Sequence, residues 1–507
     1  MADDLPLVDQ NEPDKPRLQR VEGHSEERFL GSDVFESSGR NIPPPNGTGM
    51  FREEARDIDI YHKCDVAVIG GGPAGCAAAW AAAKAGADVT LIERYNCLGG
   101  LSTGGLVMWI DRMTDWQGNH VIQGFARHFI DRMPREGVAG PPREDWGSKD
   151  PLKVGYWGQR TTAFHGIVQW APTLDPERMK LNNQEMLLEA GVRIVFHAWA
   201  ARPIIEANDD GRGAARGVIF ESKAGRTALL AKVVVDTTGD GDMFARAGAA
   251  FDTDIEEGDV HHSMNTGWVL GGVNMDRWID WKAHHPEELR EFMQRGREEL
   301  GYFQTPYVSW RPDIALFLGP RQSGLSALDV DDMTEVEIRS HRLMEGHCQF
   351  FRRHAPGFEH VYSLQSASQL GVRHTRRLAG VSRIERKDWS NGTPVADEVG
   401  VSPSISPKFP VVSVPYGSLV PRALDGLLVG GRHISCDANS HGFMREIPQC
   451  WLTGHAAGAA AAIAANAGVE PRRVEAGEIR RLLRAQGAHL SDDAAVASAA
   501  PESIAAE

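Results

Sequence analysis

The 507-residue chain has six cysteines, Cys64, Cys76, Cys97, Cys348, Cys436 and Cys450, and no two of them form a C-x-x-C pair. That spacing offers no framework for a disulfide scaffold, a zinc ribbon or a ferredoxin-type cluster. It reads as reduced thiols in a cytoplasmic protein. Long apolar runs are missing as well. The longest stretch, Ala456–Ala467, is alanine-rich and far short of the roughly 20 residues that a membrane helix needs. The N-terminus shows neither a basic segment with an apolar run nor a twin-arginine pattern, so no targeting signal is expected. Positive charge is in deficit: 54 Lys and Arg stand against 69 Asp and Glu, a net charge of -15. Residues 1–60 alone carry 14 acidic and 7 basic residues, which leaves the body only mildly acidic. Nucleic acid is therefore not an expected partner, because phosphate binding needs clustered Lys and Arg. No internal repeat is visible.

What is present follows an alternating order of strands and helices. Residues 1–57 are rich in Pro, Asp, Glu and Ser and read as an acidic arm, partly disordered. Cys64–Ile69 reads as a short buried strand, Gly75–Lys84 as a helix stopped by Gly86, and Asp88–Glu93 as a second strand. Their combined length, about 30 residues, is that of a strand–helix–strand unit. A helix is expected near Val121–Met133, loop from Gly137 to Gly158, and a second helix over Pro176–Ala190 leading into a third strand, VRIVFHAW. A hairpin turning at Lys223–Gly225 runs into TTGDGD at 237–242. Residues 251–410 lack small-residue patterning. They carry Trp268, Trp278, Trp281, Trp310 and Trp389, which suit either stacking on a substrate ring or core packing. Small apolar residues return in GLLVGGRHIS and in GHAAGAAAAIAANAG, and EIRRLLRAQGAHL reads as a final amphipathic helix.

The segment VAVIGGGPAGCAAAW, residues 66–80, holds the most informative pattern. Gly70-x-Gly72-x-x-Gly75 fits the dinucleotide fingerprint: one glycine for the tight turn, one for backbone approach to a pyrophosphate, one for close helix–strand packing. The helix N-terminus then presents free N–H groups and a partial positive charge to the phosphates. Glu93, at about the 20-residue spacing, can accept both ribose hydroxyls of an adenosine. FAD and NAD share this grip. Pro73 inside the turn and Arg94 after the acid lean toward FAD. So do three later glycine-rich returns, LGGLSTGG, TTGDGD and VGGRH, which a nicotinamide dehydrogenase would leave without a purpose. No second fingerprint exists for a resident nicotinamide domain.

Taken together, the segments DVAVIGGGPAGCAAAWAAAKAGADVTLIER, LGGLSTGGL, VVVDTTGDGDMFARAG, GVRHTRRLAG, SLVPRALDGLLVGGRHIS and REIPQCWLTGHAAGAAAAIA resemble the FAD-dependent oxidoreductases of the FAD_oxidored type. That family has a glutathione-reductase-like FAD fold and is related to the flavin core of heterodisulfide reductase. The resemblance runs from about residue 58 to about 488. It implies an α/β fold: a discontinuous Rossmann-like FAD-binding domain over 58–112, 175–250 and 411–470, an inserted α+β substrate or cap domain over 113–174 and 251–410, and a C-terminal helix and tail over 471–507. It implies that Gly70, Gly71, Gly72, Pro73, Ala74, Gly75 and Glu93 hold the ADP half, with Arg94, Trp199 and Ala200 near the adenosine. Gly100, Leu101 and Ser102 would line pyrophosphate and flavin. Thr238 and Gly239 would close the nucleotide side, Gly431 and Arg432 would meet the flavin-side phosphate, and the segment Gly442 to Arg445 would approach the flavin ring. The chain departs from relatives that carry cysteine clusters, paired redox cysteines or the late GD motif of aromatic hydroxylases. Iron–sulfur, thiol–disulfide and NAD(P)H-driven monooxygenase chemistry are accordingly not expected.

Candidate chemical residues carry two readings each. Arg373 holds a substrate carboxylate or charge on the flavin N1–O2 edge, or else serves ion pairing; its neighbours Arg376 and Arg377 are read as structural. Arg445 contacts flavin or substrate. His441 accepts a proton while a hydride passes to flavin N5, or is held by the backbone; His433 and His165 are further candidates. Cys97 is a covalent flavin anchor or a buried thiol. Asp240 and Asp242 cap a helix or meet the ribityl chain. His261–His262 lack accompanying ligands, so no metal is expected. The expected activity is hydride transfer between a small organic substrate and flavin N5. A non-redox flavoprotein, such as an isomerase or hydratase, is the alternative, and an RNA-modification-type flavoprotein a more distant one. The electron acceptor and any homo-oligomer are not specified by the sequence.

Overall fold

A computed structural model describes residues 34–36, 49–208, 211–253, 263–393 and 395–492. Most of the expected acidic arm, the His261–His262 pair and the end of the C-terminal tail lie outside those residues. The central element is the strand β1 (Ile60–Ile69), whose Val66, Ala67, Val68 and Ile69 are fully buried. A strand covered on both faces needs an uninterrupted apolar run, and this one has it. Helix α1 (Pro73–Lys84) follows, then β2 (Val89–Ile92), helix α2 (Pro176–Glu189) and β3 (Arg193–Val195). Three longer strands complete the first half of the chain: β4 (Trp199–Ala207), β5 (Gly213–Ser222) and β6 (Gly225–Asp236). A late strand, β7 (Leu427–Val429), returns to the same sheet.

β3, β2, β1, β6 and β7 lie side by side and all run parallel. β4 and β5 extend the sheet as an antiparallel meander from β6. The carboxyl ends of β1, β2, β6 and β7 therefore come together at one edge, the place where open α/β sheets bind ligands. α1 is apolar around most of its circumference and is sandwiched between this sheet and helix α3 (Ile447–Ala467). Its small side chains permit very close approach. A Cβ on Gly454 would lie 2.1 Å from the Ala74 carbonyl oxygen, and one on Gly458 would lie 2.1 Å from that of Ala78.

A second, mainly antiparallel sheet is built from residues 251–410. Its central strand, Met264–Gly271, pairs with Ile314–Ser323 on one side and with Tyr362–Ser366 and Gly371–Val372 on the other. The short strand Val34–Glu36 adds in parallel beside Arg321–Ser323. Helix Val330–His354 packs against this sheet. Its core is aromatic: Trp268 stacks on Phe317 at 4.3 Å, and Trp278 packs against Phe292 and Phe358. Trp268, Trp278 and Trp389 are buried in packing, which settles their two readings in favour of core. The stretch 137–158 is not all loop. Pro151–Gly158 is a helix, started by Asp150, whose carboxylate accepts the N–H of Leu152 at 2.8 Å.

Candidate functional site

The carboxyl edge of the parallel sheet opens into a cavity of about 870 Å³ that also reaches the second sheet. That size lies within the usual range for small-molecule and cofactor sites. Its first end is made mostly of backbone. β1 runs into Gly70, whose φ of +101° an L side chain resists. A Cβ at Gly75 would sit 1.8 Å from the Gly70 carbonyl oxygen, so this glycine is required for the turn itself. Gly72 differs. It has an ordinary φ of -68°, lines the cavity, and a Cβ placed on it would meet nothing within 4 Å. No side chain caps the N-terminus of α1 at Gly72, and Ala74 in its first turn faces the cavity.

Glu93, at the end of β2, lines the same end. Its carboxylate accepts the Gly71 N–H at 2.6 Å and the Tyr95 N–H at 2.8 Å. Burial pushes its carboxyl up, against the stabilising effect of those two N–H groups. Arg94 lies with its guanidinium carbon 4.8 Å from the centre of the Trp199 ring, which is itself about half exposed.

The middle of the cavity is shaped by the segment after β6. Asp236 is buried and accepts from the Thr238 hydroxyl at 2.7 Å and from the N–H groups of Met243 and Phe244 at 3.0 Å each. It is therefore Asp236, not Asp240 or Asp242, that satisfies the start of helix Asp242–Arg246. Asp240 turns to Arg432 at 2.9 Å and to the Thr375 hydroxyl at 2.8 Å. Burial opposes its ionisation, but Arg432 and Thr375 hold its carboxyl below the usual range. Arg376 donates to the Asp240 carbonyl oxygen at 2.9 Å, and Arg377 is wholly buried 3.5 Å from His374.

The far end is made of side chains. Arg373 lines it, with its Nε donating to the Asn265 Oδ1 at 3.3 Å. Arg445, at the junction between helix Ala438–Met444 and α3, lines it too and pairs with Glu446 at 3.0 Å. Burial, then the positive charges of Arg445 and Arg321, push the Arg373 guanidinium well below its usual value. Arg321, Asn265 and Gln369 complete this end. None of the three is among the residues expected from the sequence. The available signal was Arg321 itself, a charged residue near the end of the apolar strand IALFLGPRQS, since arginine is seldom buried without a partner or a purpose.

Of the eighteen residues expected to meet the cofactor, all but Gly71, Gly75 and Ser102 line the cavity. Gly71 and Gly75 stand behind it and fix Glu93 and the turn, respectively. The Ser102 hydroxyl is turned to the Gly99 carbonyl oxygen at 2.7 Å. His441 is a correction to the expectation. It is buried against His374, with ring centroids 4.9 Å apart, and is not among the lining residues. His433 is likewise buried, beside Asp236. Among the described residues, His165 is the histidine that lines the cavity. Cys97 is buried and does not line it, so its plain-thiol reading is the one the geometry favours.

The residues fit FAD. A helix N-terminus free of side-chain caps opens on the cavity, Gly72 leaves open space beside it, and the Glu93 carboxylate is fixed at the end of the neighbouring strand, an arrangement that suits a dinucleotide. The fold and this edge define a Rossmann-type flavoprotein. The chain belongs to the FAD dependent oxidoreductase family, whose model matches residues 65–406 and 403–483. FAD is its cofactor. Among curated relatives, it is similar to thiamine thiazole synthase of Desulfosudis oleivorans, 42% identical over 69 residues, or 14% of this chain and 24% of that one. It is also similar to digeranylgeranylglycerophospholipid reductase 1 of Methanopyrus kandleri, 30% identical over 183 residues, or 34% and 39% of the two chains. These matches span well under two thirds of either relative. A solved structure of a geranylgeranyl bacteriochlorophyll reductase-like protein from Thermoplasma acidophilum aligns with a TM-score of 0.43 and 14% identity, covering 84% of this chain and 82% of that one. For p-nitrophenol 4-monooxygenase from Pseudomonas putida the TM-score is 0.42 at 13% identity, over 86% and 93%. Among the described residues, no helix is long and apolar enough to cross a membrane.

Proposed function

We propose that this FAD-dependent oxidoreductase transfers a hydride between a carbon of a small organic substrate and flavin N5. The observation that carries the reading is one continuous cavity, lined at one end by the glycine turn and Glu93 and at the other by Asn265, Arg321 and Arg373 of the second sheet. The first end suits a dinucleotide and the second suits what the dinucleotide acts on. We accordingly assign FAD binding to residues 58–112, 175–250 and 411–470, and substrate binding to 113–174 and 251–410.

Bound FAD supplies a two-electron hydride acceptor or donor. The protein's own residues do the rest. The Gly70–Ala74 turn and the N-terminus of α1 bind the pyrophosphate, and Glu93 accepts the adenosine ribose hydroxyls. Arg94, Trp199 and Ala200 flank the adenine. Gly100, Leu101, Thr238, Gly239, Gly431 and Arg432 hold the chain between adenosine and flavin, and Gly442 approaches the ring. Arg373 and Arg445 stabilise negative charge on substrate or flavin. His165 takes the place proposed for His441 as the group that handles the accompanying proton, since it is the imidazole on the cavity wall. Six unpaired, buried cysteines agree with a cytoplasmic location.

The test is anaerobic. Candidate substrates are mixed with the purified protein, and the flavin absorbance is followed. Bleaching by a substrate that is oxidised by two electrons is the expected result. Turnover of that substrate with the flavin spectrum unchanged at every stage would place the protein among non-redox flavoproteins instead.

A further inference from the structure

We infer that Trp109 and Tyr307 form an aromatic wall in the cavity, and that the substrate seated on it carries an aromatic ring with an oxygen substituent. The word substrate rests on the hydride-transfer reading above; the wall rests on its own geometry.

Both rings line the cavity and are only partly buried, whereas the aromatic core of the second sheet is closed, with Trp268 and Trp278 each 1% exposed. The two rings come from separate places. Trp109 follows the glycine-rich turn at 98–105, and the Val107 N–H donates to the Leu101 carbonyl oxygen at 2.8 Å, which ties this segment to the turn. Tyr307 begins the short strand Tyr307–Val308, which pairs with Leu316 and Ala315 of the second sheet. Their ring centroids lie 6.1 Å apart at 45°. Trp109 is held in that position. Its indole N–H donates to the Thr161 carbonyl oxygen at 3.2 Å, and its ring stands nearly edge-on to buried Phe164 at 6.1 Å. Thr161 has a φ of +61°, which a β-branched side chain resists, and its carbonyl is the one that fixes the indole. Backbone strain of this kind persists where the surroundings over-determine it, and it gathers at ligand sites.

A second observation concerns the oxygen. Among the described residues the Tyr307 hydroxyl has no hydrogen-bond partner; its contacts are through the ring. A phenol is both donor and acceptor, so a ligand oxygen can take its proton in a hydrogen bond. Tyr307 is also among the groups that act electrostatically on Arg373, which places it at the Arg373 end of the cavity. Val107 and Leu318 line the cavity as well and add apolar surface. Leu318 is two positions along its strand from Leu316, the pairing partner of Tyr307, and so lies on the same face of that strand as Leu316. Aromatic rings meet in tilted and offset arrangements that contribute beyond the apolar area they bury, and a third ring on Trp109 and Tyr307 gains that contribution where a saturated ring does not.

The experiment uses the purified, full-length protein loaded with FAD and isothermal titration calorimetry, with FAD content measured on the same samples. Phenol is the probe. Cyclohexanol, with the same hydroxyl and ring size but no aromatic face, is its control. Phenol is expected to bind about tenfold more tightly than cyclohexanol. Trp109→Leu and Tyr307→Leu are each expected to cut that preference to about threefold or less, with FAD content unchanged. Tyr307→Phe is expected to keep the preference for the aromatic ring while weakening phenol about fivefold, through the lost hydrogen bond. The inference is overturned if phenol does not bind the wild type, if cyclohexanol binds as tightly, or if both leucine variants keep the full preference. It is also overturned if Tyr307→Phe binds phenol like the wild type, or if the leucine variants lose FAD, which would return the wall to the cofactor. The hydride-transfer reading fails separately: a protein that prefers phenol through Trp109 and Tyr307, yet turns over a substrate with its flavin spectrum unchanged, would sink that reading and leave the aromatic wall standing.

Discussion

The two ends of the cavity are built on different plans. The end at the glycine turn is lined by backbone and by one carboxylate within residues 69–95, with closing segments from later in the chain. The far end is lined by long polar and charged side chains whose positions are as distant as Asn265, Arg321, Arg373 and Arg445. A backbone cradle must be written as glycines at fixed local spacing, because a turn and a helix N-terminus are local objects. A side-chain cluster has no such requirement. It needs only that strand pairing and helix junctions bring the residues together, and pairing partners are not adjacent in sequence.

This difference sorts the glycines by what needs them, and it can be broken by substitution. Gly75→Val places a side chain on the Gly70 carbonyl oxygen, so the expected effect is the largest: loss of the folded state, beyond about 4 kcal/mol. The check is soluble yield and thermal denaturation. The Cβ of Gly72→Ala meets no protein atom within 4 Å, and Gly72→Val adds two methyl groups into that open space, so the fold should persist while FAD affinity falls on the order of a hundredfold, about 2.7 kcal/mol. If Gly72→Val retains FAD with unchanged affinity, the pyrophosphate does not lie where the open space is.

Asp236 sharpens the contrast from the other side, as a buried carboxylate that serves structure alone. Asp236→Asn is expected to lower stability by about 2 kcal/mol through lost and mismatched hydrogen bonds, read by chemical denaturation. Burial acts against the charged form, but His433 and Thr238 hold the carboxyl below its ordinary 3.8 in the folded state. The stabilisation is thus complete above that pH and is lost as the pH falls toward the folded value. The difference between wild type and variant should narrow only below pH 3.8. A gap that closes near neutral pH would contradict the assignment. The smallest effect belongs to Trp199→Ala. Its half-exposed ring should contribute no more than about 1 kcal/mol to FAD binding through Arg94 and the adenine. FAD titration of the apoprotein reads it.

How much was legible in the sequence follows the same line. The strand–turn–helix–strand unit, Glu93, the β5–β6 hairpin and the glycine-rich helix α3 all rest on local periodicity and spacing, and the structure has them at those places. His441 misled because adjacency to Gly442 says nothing about facing. Gly442 lines the cavity, while the neighbouring imidazole points back toward His374. The tryptophans of residues 251–410 were ambiguous because an aromatic core and an aromatic binding wall have the same composition. Arg321 shows in the sequence only as a charge in an apolar strand, because its place comes from its pairing with Asn265, more than fifty residues upstream.

The most direct measurement is the amount of FAD released on denaturing three proteins purified in parallel: wild type, Gly72→Val and Arg373→Gln. FAD is expected from the wild type and from Arg373→Gln, and little or none from a folded Gly72→Val. A wild type that releases no flavin and cannot be reconstituted with FAD would contradict it. So would the reverse pattern, with FAD kept by Gly72→Val and lost by Arg373→Gln.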